Sequence, residues 1–208
     1  MPEGPFQSVV CGIDGTREAF EAARQASRLV SPGGELTLVA ATHFLDAVSG
    51  RWGPEMIVWD ILEQPARDLG QLSEAVGEMA RGSLEWAQRQ VGDRARVTTR
   101  VVSGRAYDEL RDEAERAGAT LIAIGAHGGR RLTGAALGSV ATMLLHDAPA
   151  SVLLARPPFD PDAFPSRVVV GVDGSESSLH ALSVAAALCD DPASWSRRAT
   201  RPSCPTMP

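Results

Sequence analysis

Apolar residues follow two patterns that take turns along the first 156 positions. Short apolar or alternating runs predict strands, and apolar residues spaced three and four apart predict amphipathic helices. The predicted strands are residues 8–13, 36–41, 95–102, 120–124 and 151–155. The predicted helices are residues 17–30, 67–91, 107–117 and 140–147. Strands alternating with helices predict an α/β fold, an open five-stranded parallel sheet with helices on both faces.

One stretch shows neither pattern. Between residues 42 and 64, Gly50, Gly53 and Pro54 interrupt any periodicity, and Pro65 follows directly. Turn-forming residues at this density predict a long surface loop between the second strand and the second helix. We expect this loop to be mobile when no ligand is bound.

The opening of the chain recurs near its end. Residues 168–175, Val-Val-Val-Gly-Val-Asp-Gly-Ser, repeat residues 9–16, Val-Val-Cys-Gly-Ile-Asp-Gly-Thr, at an offset of 159 positions. A strand, a Gly-x-Asp-Gly-[Ser/Thr] turn and a helix recurring in one order indicate a tandem duplication. The predicted organisation is a complete domain at 1–156, a proline-rich linker at 157–166, a truncated second repeat at 167–189 and a disordered tail at 190–208.

The tail lacks the strand that follows the equivalent helix of the first repeat. A truncated or frame-shifted tandem gene explains it best, and a regulatory tail is the alternative.

Composition narrows the possible functions. The net charge of −6 gives no electrostatic attraction for nucleic acid, and all twenty basic residues are Arg, so no lysine is present to anchor phosphate. Cys11, Cys189 and Cys204 share no metal-binding or disulfide spacing, and Cys11 is expected to be a small buried residue. No apolar run approaches the ~20 residues of a membrane span, and no targeting segment is evident. We expect a cytoplasmic protein.

The candidate chemistry lies in residues 125–139, Gly-Ala-His-Gly-Gly-Arg-Arg-Leu-Thr-Gly-Ala-Ala-Leu-Gly-Ser. This segment has the form G-x2-G-x9-G-[S/T] between a strand and a helix. Glycines at the end of a strand let the backbone approach a ligand closely, and free N–H groups at a helix N-terminus attract phosphate. The ligand crevice of such a sheet lies where the strand order reverses, which would bring Asp14 opposite Gly125. The pattern predicts a nucleotide site.

Together the turn, the motif and the repeat resemble the universal stress proteins of the ATP-binding type over residues 8–156, and the resemblance restarts at residue 167. It implies the sheet order 3-2-1-4-5, ATP as ligand with or without Mg²⁺, and a homodimer through the edge strand at 151–155. The implied ATP contacts are Gly12, Ile13, Asp14 and Ala41 on the adenine and ribose side, Gly125 and Gly128 near the ribose and first phosphate, and Gly138, Ser139, Val140 and Ala141 at the outer phosphates. Some family members carry a hydroxyl at the position of Ala141, so one phosphate hydrogen bond is expected to be missing here.

Single residues of this set also have simpler explanations. Asp14 suits an Asx-turn or a helix cap, although its recurrence as Asp173 favours a ligand role. Ser139 also suits a helix cap. His127 has no nucleophile or metal-ligand partner nearby in sequence and is expected to be a solvated loop residue.

Other nucleotide and hydrolase signatures are missing from the sequence. It contains no G-x-x-x-x-G-K-[S/T], no H-E-x-x-H, no G-x-S-x-G around Ser139, and no G-x-G-x-x-G after the first strand. No catalytic or metal-ligating residue is assigned. The prediction is an ATP-binding stress-response regulator or binding module. A slow ATP hydrolase working by positioning alone and a non-binding truncated relative are the alternatives.

Overall fold

The computed structural model describes residues 5–42, 69–126, 137–157, 160, 164–165 and 167–188. The strands are β1 (Phe6–Gly12), β2 (Val30–Thr42), β3 (Arg96–Ser103), β4 (Leu121–Gly125) and β5 (Ser151–Ala155). The helices are α1 (Arg17–Leu29), α2 (Leu69–Val91), α3 (Ala106–Ala117), α4 (Ser139–Asp147) and α5 (Glu176–Ala187), and a 3₁₀ turn, Gly92–Arg94, follows α2.

The five strands form one parallel sheet in the order β3-β2-β1-β4-β5. This confirms the predicted fold and strand order. Helices α1 and α2 cover one face of the sheet and α3 and α4 cover the other. The central strands are buried on both faces, which explains why they read as unbroken apolar runs. Side chains with no more than 1% exposure include Val9, Val10, Leu36, Leu38, Val39 and Ile122.

One boundary differs from the sequence prediction. The predicted helix at 17–30 and strand at 36–41 leave Pro-Gly-Gly, residues 32–34, between them, yet α1 ends at Leu29 and β2 already begins at Val30. The register with β1 shifts between Phe6 and Ser8, so the Pro-Gly-Gly segment forms an irregularity inside β2. Gly34 is required there because a Cβ atom would lie 2.7 Å from the Gln7 carbonyl oxygen. Turn residues therefore produce a bulge within the strand.

Helices α1 and α2 also touch through aromatic side chains. The rings of Phe20 on α1 and Trp86 on α2 have centroids 4.0 Å apart and are tilted by 50°. Trp86 stays 40% exposed. Cys11, as expected, is a buried free cysteine of the central strand.

The chain divides into two units, Glu3–Arg167 and one that contains Val168–Pro208. The first holds the whole sheet. In the second, Ser175 caps α5 by accepting a hydrogen bond from the backbone N–H of Ser178. The strand of the predicted C-terminal β-α fragment is not paired, because residues 167–173 join no ladder among the described residues. No helix within the described ranges is long and apolar enough to cross a membrane.

Candidate functional site

The sheet reverses its strand order between β1 and β4. β1 is followed in space by β2 and β3 on one side, and β4 is followed by β5 on the other. The two strands pair in register, with Val9 beside Leu121 and Cys11 beside Ala123, so their carboxyl ends finish at the same edge. The predicted meeting of the Asp14 turn with the end of β4 at Gly125 follows from this pairing. Ligands of open α/β sheets bind in the crevice at such a reversal.

Residues 13–16 form a compact turn directly after β1. The buried Ile13 still donates its N–H to the Val39 carbonyl oxygen of β2, at 2.8 Å, so the chain stays in the sheet until Asp14. Asp14 Oδ1 then accepts hydrogen bonds from the Thr16 backbone N–H (3.0 Å) and the Thr16 hydroxyl (2.6 Å). Gly15 has φ +78°, a conformation that favours glycine. The simpler explanation of Asp14, an Asx-turn, is thus part of what the residue does.

Thr16 links this turn to helix α1. Its hydroxyl donates to Asp14 and also accepts from the Ala19 backbone N–H at 3.2 Å, so Thr16 is the N-cap of the helix. Such a cap satisfies one of the N–H groups that a helix leaves unpaired at its start. A shift of the Asp14 carboxyl would therefore be transmitted to α1.

The Asp14 carboxyl lies in a poorly solvated position. Burial raises the pKa of Asp14 above its ordinary value of 3.8, Thr16 counters by hydrogen bonding to the charged form, and the nearby Glu18 carboxylate raises the pKa further. No other side chain in the described part of the chain hydrogen-bonds this carboxyl. A carboxylate can accept a hydrogen bond from a ligand hydroxyl or amino group.

Two of the predicted site glycines are fixed by packing. A Cβ at Gly125 would lie 2.9 Å from both the Ala19 nitrogen and the Glu18 carbonyl carbon, which are backbone atoms of α1. A Cβ at Gly12 would meet the Leu110 side chain at 3.0 Å. Gly125 thus lets α1, with the Asp14 turn at its start, lie directly against the end of β4. Sequence reasoning assigned these glycines to ligand contact and missed this packing role.

Helix α4 begins at the same edge with Gly138 as its N-cap. Gly138 has φ −63° and ψ 158°, and no side chain caps this end of the helix. Ser139, expected to be either a cap or a ligand, is the first helical residue and is exposed. The first N–H groups of a helix have no carbonyl partner within it, so those of the first turn remain available as donors. This end of α4 suits an anion.

The side chains of the next two residues face the protein. Ala141 is only 2% exposed and belongs to the core cluster with Leu110 and Leu144, and Val140 packs against the same cluster. The Ala141 methyl is therefore a core contact, and the expectation of a missing phosphate bond at this position stays a prediction.

Gly138 is held in place by hydrogen bonds on both sides. Its N–H donates to the Ala126 carbonyl oxygen at 3.2 Å, while its own carbonyl accepts from the Thr142 N–H at 2.9 Å and the Thr142 hydroxyl at 3.0 Å. Ala126 is fully buried and donates to the Ala155 carbonyl oxygen of β5. Sequence reasoning did not single out Ala126 or Thr142. The available signal was a hydroxyl residue four positions after the last motif glycine.

The remaining predicted residues are divided between described and undescribed parts of the chain. Ala41 lies at the end of β2, half-buried and paired with Val102 of β3. The edge of the sheet therefore brings together Ile13, Asp14, Ala41, Gly125 and the start of α4. Gly128, His127 and most of the predicted 42–64 loop lie outside the described residues. Among described residues, no group of three or more His, Cys, Asp or Glu could hold a metal ion.

Comparison with known proteins identifies relatives of this chain. A model of the universal stress protein family matches residues 5–156. A universal stress protein from Archaeoglobus fulgidus DSM 4304 superposes with a TM-score of 0.61 at 19% identity, covering 87% of this chain and 60% of that one. Universal stress protein UspA from Lactobacillus plantarum gives 0.54 at 18% identity, covering 72% and 97%. At these identities the structural likeness is one of fold. No protein of curated function matches the sequence.

Proposed function

The chain belongs to the universal stress protein family, and from that premise we propose that it binds ATP at the carboxyl edge of its sheet. ATP occupancy would make it a nucleotide-dependent regulator or binding module in the stress response, acting in the cytoplasm. The proposed nucleotide domain is residues 1–156. Residues 157–166 are its linker, 167–189 begin the second repeat, and 190–208 form a tail.

The observation that carries the proposal is the pairing of two opposite chemical features at one reversal of strand order. A carboxyl that accepts hydrogen bonds, Asp14, follows β1, and an uncapped helix N-terminus that donates them follows Gly138. A nucleotide has the complementary pair, because its ribose and amino group donate hydrogen bonds and its phosphates accept them. A carboxylate alone would repel a phosphate, so the two features suit different ends of the ligand.

The proposed contacts follow this division. Ile13, Asp14 and Ala41 take the adenine and ribose side, with Gly12 behind them at the end of β1. Gly125 and Gly128 border the ribose and first phosphate. After the N-cap Gly138, the backbone N–H groups of Ser139, Val140 and Ala141 donate hydrogen bonds to the outer phosphates. The exposed Ser139 hydroxyl can donate a further one. Mg²⁺ would bind together with ATP, because its ligands in such sites are mainly phosphate oxygens and water.

We also propose that two molecules associate through the edge strand β5. The two edges of the sheet differ in charge, because β3 carries Arg96 and Arg100 whereas β5 reads Ser-Val-Leu-Leu-Ala with no charge. Charged residues protect an edge from pairing, and an uncharged edge favours it. Light scattering at micromolar concentration should give twice the mass of the chain, and a monomeric mass would contradict this part of the proposal.

The test of nucleotide binding is calorimetric titration of ATP–Mg²⁺ into the native protein and the Gly138→Asp variant. Asp is a good N-cap, and the ordinary φ of Gly138 accepts it, so the fold should survive. Its carboxylate would occupy the N–H groups and repel phosphate, weakening affinity by more than about tenfold. Gly171→Asp is the control, since it adds the same charge where a Cβ meets nothing within 4 Å.

Failure of the folded, nucleotide-free native protein to bind ATP would refute the proposal and leave the non-binding relative. Release of phosphate, followed in the same samples, distinguishes a slow hydrolase from a binding protein. Stoichiometric binding without turnover is the expected result.

A further inference from the structure

A segment of the second repeat has the composition of a strand but pairs with no strand among the described residues. Residues 168–172, Val-Val-Val-Gly-Val, expose apolar surface to solvent: Val169 is 88% exposed and Val172 is 54% exposed. Their counterparts in the first repeat, Val10 and Ile13, are 0% and 3% exposed. Such a concentration of exposed apolar side chains marks an interaction surface.

The segment is followed by an ordered turn and by helix α5. Asp173 Oδ1 accepts from the Ser175 N–H at 2.9 Å, and Ser175 caps α5. The turn after 168–172 is thus the same turn that follows β1. No strand among the described residues pairs with the segment, so no described ladder occupies its backbone groups.

The sheet offers an edge that matches the segment in length and charge. β5 has five residues, none of them charged, and Val152, Leu153 and Leu154 are half-buried. Its only described partner is β4. The opposite edge, β3, is less suitable because Arg100 there bonds the buried Glu113, and Arg96 is exposed. An apolar segment can add to an uncharged edge strand without burying a charge.

We infer that residues 168–172 of one molecule add to the outer edge of β5 in a second molecule of the same chain. Every chain carries one such segment and one such edge, so two molecules can exchange them reciprocally and close a two-fold dimer. This specifies the occupant of the β5 edge in the dimer proposed above. It does not depend on whether the site binds nucleotide.

Site-directed disulfide formation tests the pairing. In an in-register five-residue ladder, the central Val170 lies opposite the central Leu153 in either strand direction. Two variants are purified separately, one with Val170→Cys and one with Leu153→Cys, both also carrying Cys189→Ser and Cys204→Ser. Neighbouring strands bring Cα atoms within disulfide range. On mixing and oxidation, intact-mass spectrometry should show mainly the mixed disulfide dimer.

Other outcomes of the mixing experiment overturn the inference. A disulfide dimer from Leu153→Cys alone would show that β5 pairs with β5. A disulfide from Val170→Cys alone would show that the segments pair with each other. No disulfide in any mixture would show that these strands do not meet.

Charge introduced at the surface provides the second test. Val169→Asp should weaken the dimer by at least about tenfold in sedimentation or light scattering, since it places a carboxylate in an apolar contact. Because the Val169 side chain is 88% exposed, this substitution should leave the fold of the single chain unaffected. Val101→Asp, at a 38% exposed valine on the β3 edge, is the matched control and should leave the dimer intact. Equal effects of the two changes would overturn the inference. ATP titration of the same variants reports on the nucleotide site separately.

Discussion

The Asp14 turn and the Asp173 turn have the same local structure and opposite electrostatics. In both, the aspartate accepts from the backbone N–H two residues ahead, at 3.0 and 2.9 Å, and the hydroxyl residue caps a helix. Gly15 and Gly174 have φ +78° and +89°. Burial raises the pKa of Asp14 above 3.8, whereas in the exposed second turn hydrogen bonds, chiefly from the Ser175 side chain, lower the pKa of Asp173 to about 2.

The difference shows what the motif itself determines. Gly-x-Asp-Gly-[Ser/Thr] is sufficient for the turn and the helix start, because its hydrogen bonds are all local. The environment of the carboxyl comes from the rest of the first unit, which buries it and places Glu18 nearby. The same five residues therefore give a candidate ligand group in one place and a solvated cap in the other.

The largest effect is expected at the contact that holds α1 and its turn against the sheet. Gly125→Ala forces a Cβ into the backbone of α1 at Ala19, and backbone cannot move aside cheaply, so the first unit should lose about 2–3 kcal/mol of unfolding free energy. Urea denaturation measures this. Gly171→Ala meets nothing within 4 Å and should change the value by less than about 0.5 kcal/mol. Similar losses at both positions would mean that α1 is not held as described.

The next largest difference is expected between equivalent positions of the two repeats, Val10 and Val169. Val10→Ala removes two methyl groups from a fully buried site and should cost about 2 kcal/mol, whereas Val169→Ala changes an 88% exposed side chain. The second variant is expected within about 0.5 kcal/mol of native. Both are measured by chemical denaturation at protein concentrations low enough for monomer. A large loss at Val169 would show that the second repeat is buried.

A smaller difference is expected between the effects of removing the two helix caps. Thr16→Ala removes the α1 cap and both hydroxyl contacts to its neighbours, for a loss of about 1–2 kcal/mol in the first unit. Ser175→Ala removes the α5 cap and the side-chain hydrogen bond to Asp173, so protection of α5 amides from hydrogen exchange should fall while the sheet stays unchanged. Slower exchange of sheet amides in Thr16→Ala than in the native chain would contradict the prediction.

The smallest effect is the most direct comparison of the two aspartates. Carboxyl carbon NMR should show Asp173 titrating at about 2 and Asp14 titrating above 3.8. A raised folded-state pKa means that the folded chain binds the proton more tightly, so Asp14 lowers stability as the pH rises from 3.8 through its folded pKa. Asp173 has the opposite sign and its stabilising contribution is lost as the pH falls from 3.8 to about 2. Coincident titrations would remove the distinction between the turns.

The order of strands and helices along the chain was predictable from periodicity, whereas the strand order of the sheet came from the family resemblance. The periodicity is visible in runs such as 36–41 and 120–124. Contacts between distant residues could not be predicted: the sequence does not show that a Cβ at Gly125 would meet the backbone of α1, or that the Ala141 methyl lies in the core. The start of α4 was predicted one residue late, at 140, because its cap is a glycine with no capping side chain.

The ring contact between Phe20 and Trp86 makes the packing of α1 on α2 observable by tryptophan fluorescence. Indole emission responds to solvent and to nearby groups, and this indole is 40% exposed and in contact with a ring on the helix that Thr16 caps. A chain in which tryptophans 52, 59 and 195 are replaced by phenylalanine would emit from Trp86 alone. Its emission spectrum would then report, in real time and without a label, whether occupation of the Asp14 turn moves the two helices apart.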